Sequence, residues 1–358
     1  MNIEQRSCAT SLPRAAVMAV VLGAIGAYGG FVSPSAAADD TDANQANASP
    51  NCEMEELDVP DSQFDHYVTD MDAQASYIAG NAHNNDGSNQ RMPWVFHDGQ
   101  AEYIDAPYDH AILTAINSSG TGVGYSDGPE RQDVPWIYED GEVTELPDMK
   151  NFQLEDINEG GDIVGNKVDP FVIRAGETEP TFLELPDEAE EGRVNGINDD
   201  GVAVGWFVTP ENNDWENPLY EPYMWDEDGN GTKLALPGDE PFHSFAQSIQ
   251  DDWITGYPAL RWNLDGDDEP QPEEIDGMSL AHHTSPSGMT AGAVDVDEGY
   301  GYQAVLATPD GTVELPSLKD PDGDAFSYGL RVSEDGHTVV GTSEGPDGLV
   351  HAMSWTCK

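Results

Sequence analysis

Three stretches of this chain share one pattern: Ile116-Asn117-Ser118-Ser119-Gly120-Thr121-Gly122-Val123-Gly124, Ile157-Asn158-Glu159-Gly160-Gly161-Asp162-Ile163-Val164-Gly165 and Ile197-Asn198-Asp199-Asp200-Gly201-Val202-Ala203-Val204-Gly205. Each has an apolar residue, Asn, a turn with Gly or Asp, then small or β-branched residues ending in Gly. Weaker copies run from Ile249-Gln250 to Gly256, from Ser285 to Gly292 and from Val332-Ser333 to Gly341, and a degenerate one from Met71 to Gly80. The closing glycines at 80, 124, 165, 205, 256, 292 and 341 are spaced by 44, 41, 40, 51, 36 and 49 residues. A mean near 43 suits a blade of four short strands and is too long for a β-helix rung.

Four strands can be read in each unit. Strand A ends at the Ile-Asn step, and strand B follows the turn (Ile163-Val164, Val339-Val340). Strand C opens on Pro in Pro93-Trp94-Val95-Phe96, Pro135-Trp136-Ile137-Tyr138, Pro170-Phe171-Val172-Ile173 and Pro222-Tyr223-Met224-Trp225. Asp98-Gly99, Asp140-Gly141 and Asp310-Gly311 supply hairpin turns. Strand D ends on an apolar-Pro step, as at Leu146-Pro147 and Leu185-Pro186, where an outer edge tolerates a missing amide donor.

The last unit stops at strand C, His351 to Trp355, and lacks a strand D. The segment Cys52 to Val59-Pro60 carries the apolar-Pro ending ahead of the first strand A. The reading is therefore all-β: a seven-bladed β-propeller of about 43-residue repeats spanning 52–358, closed by an N-terminal strand 52–60 that completes blade seven. Alignment to the second unit brings Cys52 and Cys357 to the same hairpin, which predicts a Cys52–Cys357 disulfide across the chain ends.

Residues 1–38 read as a secretory signal peptide: Arg6 and Arg14, an apolar run from Ala15 to Val32, and Ala36-Ala37-Ala38 before Asp39. Membrane attachment would follow only if this leader stayed uncleaved. Residues 39–51 carry no large apolar side chain and read as an acidic flexible tether. The full chain has 358 residues, 69 Asp+Glu against 13 Lys+Arg, and a net charge of −56. Without the leader, 68 acids and 11 bases remain, a charge of −57 spread over every repeat. Such a surface excludes binding nucleic acid through a basic footprint. It suits a protein working in molar salt, where self-repulsion is screened over roughly 3 Å. Disorder is excluded by 8 Trp, 13 Tyr and 10 Phe.

The repeats resemble the HAF family of extracellular repeats, whose units carry Ile-Asn-x-x-Gly-x-x-Val-Gly followed by His-Ala-Phe-x-Trp. His351-Ala352-Met353-Ser354-Trp355 is similar to the second element and Gln303-Ala304-Val305-Leu306 more loosely so, while elsewhere Pro stands near the His-Ala position. The resemblance covers most of 61–358. It implies a surface or exported location and a propeller-like fold, and it transfers no catalytic residue.

No catalytic residue is assigned. Gly341-Thr342-Ser343-Glu344-Gly345 fits Gly-x-Ser-x-Gly, but Pro346-Asp347-Gly348 breaks the helix a nucleophile elbow needs. His282-His283 is adjacent, and strand neighbours point to opposite faces, so a shared metal is not expected. No cofactor is required, and calcium is the one candidate: Asp226, Asp228 and Asn230 match half an EF-type loop, and Asp320, Asp322 and Asp324 form a second cluster. Asn47, Asn117 and Asn230 open glycosylation sequons. A long B–C loop from Trp206 to Pro222 carries Trp206, Phe207, Trp215 and Tyr220, with Tyr223 beyond, and could stack on a sugar or anchor a partner.

The expected function is a secreted or cell-surface binding or envelope-associated module of a halophile, monomeric, with a protein or glycan of the envelope as partner. The rival is a propeller hydrolase, a glycosidase or calcium-dependent phosphatase using channel carboxylates. A purely structural surface protein is third. An enzyme should bring inward carboxylates with raised pKa values together near the axis. A binding module should show an aromatic-rimmed loop face.

Overall fold

A computed structural model describes residues 51–84, 90–130, 132–209, 219–238, 242–266, 269–296, 301–319 and 326–358. The leader, residues 39–50 with Asn47, Trp215, and the cluster Asp320, Asp322 and Asp324 lie outside the described residues. The described residues form seven four-stranded antiparallel sheets. None of their helices is long and apolar enough to cross a membrane.

Each of the first six blades is four consecutive strands, as in Ile112–Ile116, Gly122–Asp127, Asp133–Glu139 and Glu142–Glu145 of blade 2. Blade 7 is Ser327–Val332, Thr338–Glu344 and Val350–Cys357, with Cys52–Glu56 as its outer strand. The inner strands pack in sequence, the last against the first, and so close a ring. The N-terminal strand obeys the rule of the other blades. Leu146, Leu183, Leu234 and Leu315 donate their amides to the carbonyls of Pro135, Pro170, Pro222 and Ala304, and Leu57 donates to Ala352 in the same way. The equivalence thus falls at Leu57, two residues before Val59, and the strand proper ends at Glu56. Cys52 lies directly opposite Cys357, and the two are joined by the predicted disulfide.

All seven inner strands bulge at one equivalent position, leaving Thr69, Thr114, Glu155, Asn195, Gln247, His282 and Leu330 unpaired with the neighbouring strand. A bulge bends the strand locally, and just before it the inner strand runs close to its neighbour. That explains the closing glycines. A Cβ at Gly124, Gly165, Gly205, Gly256, Gly292 or Gly341 would overlap a carbonyl oxygen of the inner strand. Backbone cannot step aside as a flexible side chain can. Gly205→Ala is expected to cost about 1–3 kcal/mol through overpacking, read as a lowered urea midpoint. An unchanged midpoint would mean the bulge is soft.

The Asn of the repeat has two tasks. Its Oδ1 closes its own A–B turn by accepting from Thr121, Asp162 or Val202. Its Nδ2 reaches the next blade: Asn117 donates to Asn158 O, Asn158 to Asn198 O and Asn198 to Asp251 O. Bulge residues add a second tier, with Thr69, Thr114, Asn195 and His282 donating to Leu113, Leu154, Ala246 and Gly329 carbonyls of the following inner strand. Further out, the buried indoles of Trp225, Trp262 and Trp355 donate to Glu184, Ala235 and Pro316 carbonyls at the ends of preceding blades. Apolar clusters fill the space between sheets, so neighbouring blades share their cores.

Two details differ from the sequence reading. Pro93, Pro135 and Pro222 sit inside strand C and do not open it. In blade 4, strands Ala203–Thr209 and Leu219–Trp225 extend past the closing glycine and pair from Ala203↔Trp225 to Thr209↔Leu219. Trp206-Phe207-Val208-Thr209 is a run of strand formers, so pairing takes residues 206–209 and 219–222 out of what reads as a loop.

Candidate functional site

The bulges also aim side chains at the axis. Immediately after them come Asp70, Ala115, Asp156, Gly196, Ser248, His283 and Arg331. At the A–B turn end of the ring five of them, Asp70, Asp156, Ser248, His283 and Arg331, line a cavity of about 170 Å³ together with Asn195. The rim is acidic: Asp72, Glu159, Asp199, Asp251 and Glu334 surround it. Crowding is felt there, since burial and then the neighbouring charges of Asp199 and Glu334 raise the Asp251 carboxyl above its ordinary range.

Asp70 of blade 1 accepts from Arg331 Nε of blade 7 at 2.7 Å and, through its other oxygen, from the Ile116 amide of blade 2 at 2.9 Å. Asp156 accepts from the amides of Ile157 and Ile197, both at 2.9 Å. His283 accepts at Nδ1 from the Val332 amide at 3.3 Å. A ring nitrogen that accepts carries no proton, so the neutral imidazole holds it on Nε2. These side chains therefore brace adjacent blades and face the axis at once.

Burial governs their ionisation. It raises Asp70, with Arg331 pulling the other way. Asp156 is pushed up to about 7 by burial and then by the Asp70 charge. His283 is pushed down to about 3 by burial and the nearby guanidinium, so it stays neutral. Because the folded Asp156 holds its proton more tightly than the unfolded value of 3.8, its contribution is largest below about pH 4. It is lost as pH rises toward about 7. Asp156→Asn, which never ionises, should lose less thermal stability than the parent between pH 5 and 8. Parallel melting-temperature profiles would refute the assignment.

The opposite end of the ring is different. There Glu155 is buried, is pushed up to about 7 by that burial, and accepts from Asn166 at 3.1 Å. Gln153 links Arg193 to Asp133 nearby. Aromatic pairs also sit on this B–C and D–A face: Tyr302 with Tyr328, Phe326 with Tyr328, and Phe245 stacked on Tyr257.

The residues singled out in the sequence fall as follows. Trp206 is 9% and Phe207 2% exposed, both on strand B rather than a loop. Trp206 packs edge-to-face with half-buried Tyr220 at 4.9 Å, while Phe207, Tyr223 and Trp225 form a stack within the blade core. The Asp226 carboxylate closes its own hairpin, accepting from the amides of Asp228 and Asn230 and from the Asn230 side chain. Among the described residues no three acidic, His or Cys side chains gather as a metal site. Asn117 is 4% exposed and donates its amide across blades, so the folded chain offers no nitrogen there for a glycan, whereas Asn230 is exposed. Asp70, Asp156, His283 and Arg331 have no motif. Their only sequence signal is a shared phase, two residues before the repeat's Asn position.

Comparison with solved structures bears on the scaffold. The β-propeller domain of the Trilobed protease from Pyrococcus furiosus matches with a TM-score of 0.57 at 14% identity, over 82% of this chain and 97% of that one. The present chain is a seven-bladed β-propeller. That domain is described as having an open velcro topology, whereas this ring is shut by its N-terminal strand and a disulfide. The Pyrococcus horikoshii acylaminoacyl peptidase matches at 0.54 and 13% identity, over 82% of this chain and 52% of its own. A puromycin-hydrolysing peptidase of Mycobacterium tuberculosis matches at 0.51 and 12%, over 82% and 50%. The propeller thus spans about half the length of these two peptidases, and the likeness is one of fold alone. No protein-family model and no curated protein matches the chain.

Proposed function

We propose that this protein is an exported propeller that binds a small polar ligand in the axial cavity. The observation that carries the reading is the meeting of Asp70, Asp156, His283 and Arg331 in one solvent-open axial cavity. Propellers gather one inner residue per blade at the axis, so a convergent set there is the cheapest ligand site the fold offers. The acidic leader-free surface, the clasped ends and the HAF-like repeats support export, with an envelope protein or glycan as the larger partner. The acidic surface by itself supports a saline habitat. On that reading the fold loosens in dilute buffer and recovers in molar NaCl. Identical circular dichroism and melting at about 0.1 and 3 M salt would remove the saline habitat from the proposal.

Hydrolysis is the second reading, favoured by one observation. Asp156 keeps its proton to about pH 7 and stands beside the ionisable Asp70, the kind of split pair that glycosidases use. The convergence of raised carboxyls meets the expectation set above for an enzyme; binding is placed first because all four carboxylate oxygens of Asp70 and Asp156 already accept from backbone amides or Arg331. Native mass spectrometry of protein isolated from its own envelope tests the site. A co-purifying small molecule absent from the Asp156→Asn variant is expected, and ligand-free spectra of both would overturn the reading.

A further inference from the structure

We infer that the ligand of the axial cavity is a small zwitterion, its carboxylate held by Arg331 and the His283 Nε2–H and its ammonium turned to Asp156 and the acidic rim. This rests on the cavity being the binding site. His283 is 9% exposed and lines the cavity. Its Nδ1 is taken by the Val332 amide, and among the described residues its Nε2–H has no acceptor. Arg331 likewise spends Nε on Asp70 and Nη1 on the Leu330 carbonyl, leaving Nη2 without a protein partner among them. Neither donor is sealed from solvent, so both point into the open cavity, and a charge-assisted acceptor there would gain from both at once.

The opposite demand is present in the same cavity. Gln250 belongs to the lining. Around it stand seven acidic side chains, of Asp70, Asp72, Asp156, Glu159, Asp199, Asp251 and Glu334, with Asp156 protonated below about pH 7, against the single guanidinium of Arg331. That field repels a simple anion and draws in positive charge. A simple cation would leave the His283 donor unmet and sit against Arg331. A neutral polyol would meet donor and acceptor but leave the rim charge uncompensated. One molecule carrying both charges answers both poles. The cavity of about 170 Å³ is smaller than the roughly 300–1,000 Å³ of drug-sized sites, which limits the ligand to a single small unit.

The test is calorimetric titration of the leader-free protein with glycine and 4-aminobutyrate, beside acetate, methylammonium and glucose as probes of one feature each. A zwitterion should bind at least tenfold more tightly than acetate or methylammonium. His283→Asn places Oδ1 where Nδ1 stands, keeps an acceptor for the Val332 amide, and deletes the Nε2–H. It should weaken zwitterion binding at least tenfold while the ligand-free protein keeps the circular dichroism spectrum of the parent. Equal or tighter binding of glucose, or a His283→Asn protein that binds as the parent does, overturns the zwitterion and leaves the axial site standing. Silence from every probe overturns the zwitterion too. If native mass spectra are also ligand-free, the site itself falls.

Discussion

Replacing Cys52 and Cys357 together by Ser is expected to lower the melting temperature by on the order of 10 °C. The cysteines are 305 residues apart in sequence. In the chain-entropy view a cross-link stabilises by restricting the unfolded chain, and for a loop of this size the effect reaches about 5 kcal/mol. At about 2–4 °C per kcal/mol for chains of 150–250 residues, and less for longer ones, the shift is of that size. The outer strand would not dissolve for lack of the bond. Cys52–Glu56 keeps its ladder to Val350–Cys357, and Leu57 keeps its bond to Ala352. The double variant should therefore fold to the same circular dichroism spectrum and unfold earlier, and in the parent a reductant should reproduce the shift. Coincident melting of oxidised and reduced protein would show that the clasp is dispensable.

The second large effect lies at the other end of the same seam. Arg331 of blade 7 and Asp70 of blade 1 form an ion pair at the axis, their side chains 22% and 10% exposed. Arg331→Leu removes the positive partner and leaves a buried carboxylate. Breaking buried pairs costs about 3–5 kcal/mol, and Arg331's partial exposure points to the low end, about 3 kcal/mol. Asp70 can respond by taking up a proton, because burial already raises it. The penalty should therefore be larger at pH 8 than at pH 5. Asp70→Asn added to Arg331→Leu should recover part of the loss, and the coupling from the double-mutant cycle measures the pair. A variant as stable as the parent at pH 8 would mean that water already screens the carboxylate.

How far the sequence reveals this molecule depends on how often a constraint recurs. The closing glycines are legible because six inner-strand carbonyls approach so closely that no Cβ fits. The Asn of Ile-Asn is legible because the same turn and the same cross-blade carbonyl demand it again and again. Cys52 and Cys357 follow from phase. Trp206 and Phe207 mislead because strand length in blade 4 is set by pairing with Leu219–Pro222, which no local signal announces. The axial residues are concealed for a different reason. Each blade sets a residue of its own at this position, so Asp70, Ala115, Asp156, Gly196, Ser248, His283 and Arg331 form no repeating signal, and Asp70 and Asp156 stand among 69 acids.

Building the last blade from both ends of the chain also sets an order of events. The strand Cys52–Glu56 is made first, yet its partner Val350–Cys357 is made last. Until then the first strand has no ladder and Cys52 no sulfur partner. Blades 1 to 6 are each continuous in sequence and can assemble as they emerge, by contacts that are local within about 40 residues. The seam therefore forms in the final step, so chains released short of Trp355 would hold folded blades and an outer strand without a ladder.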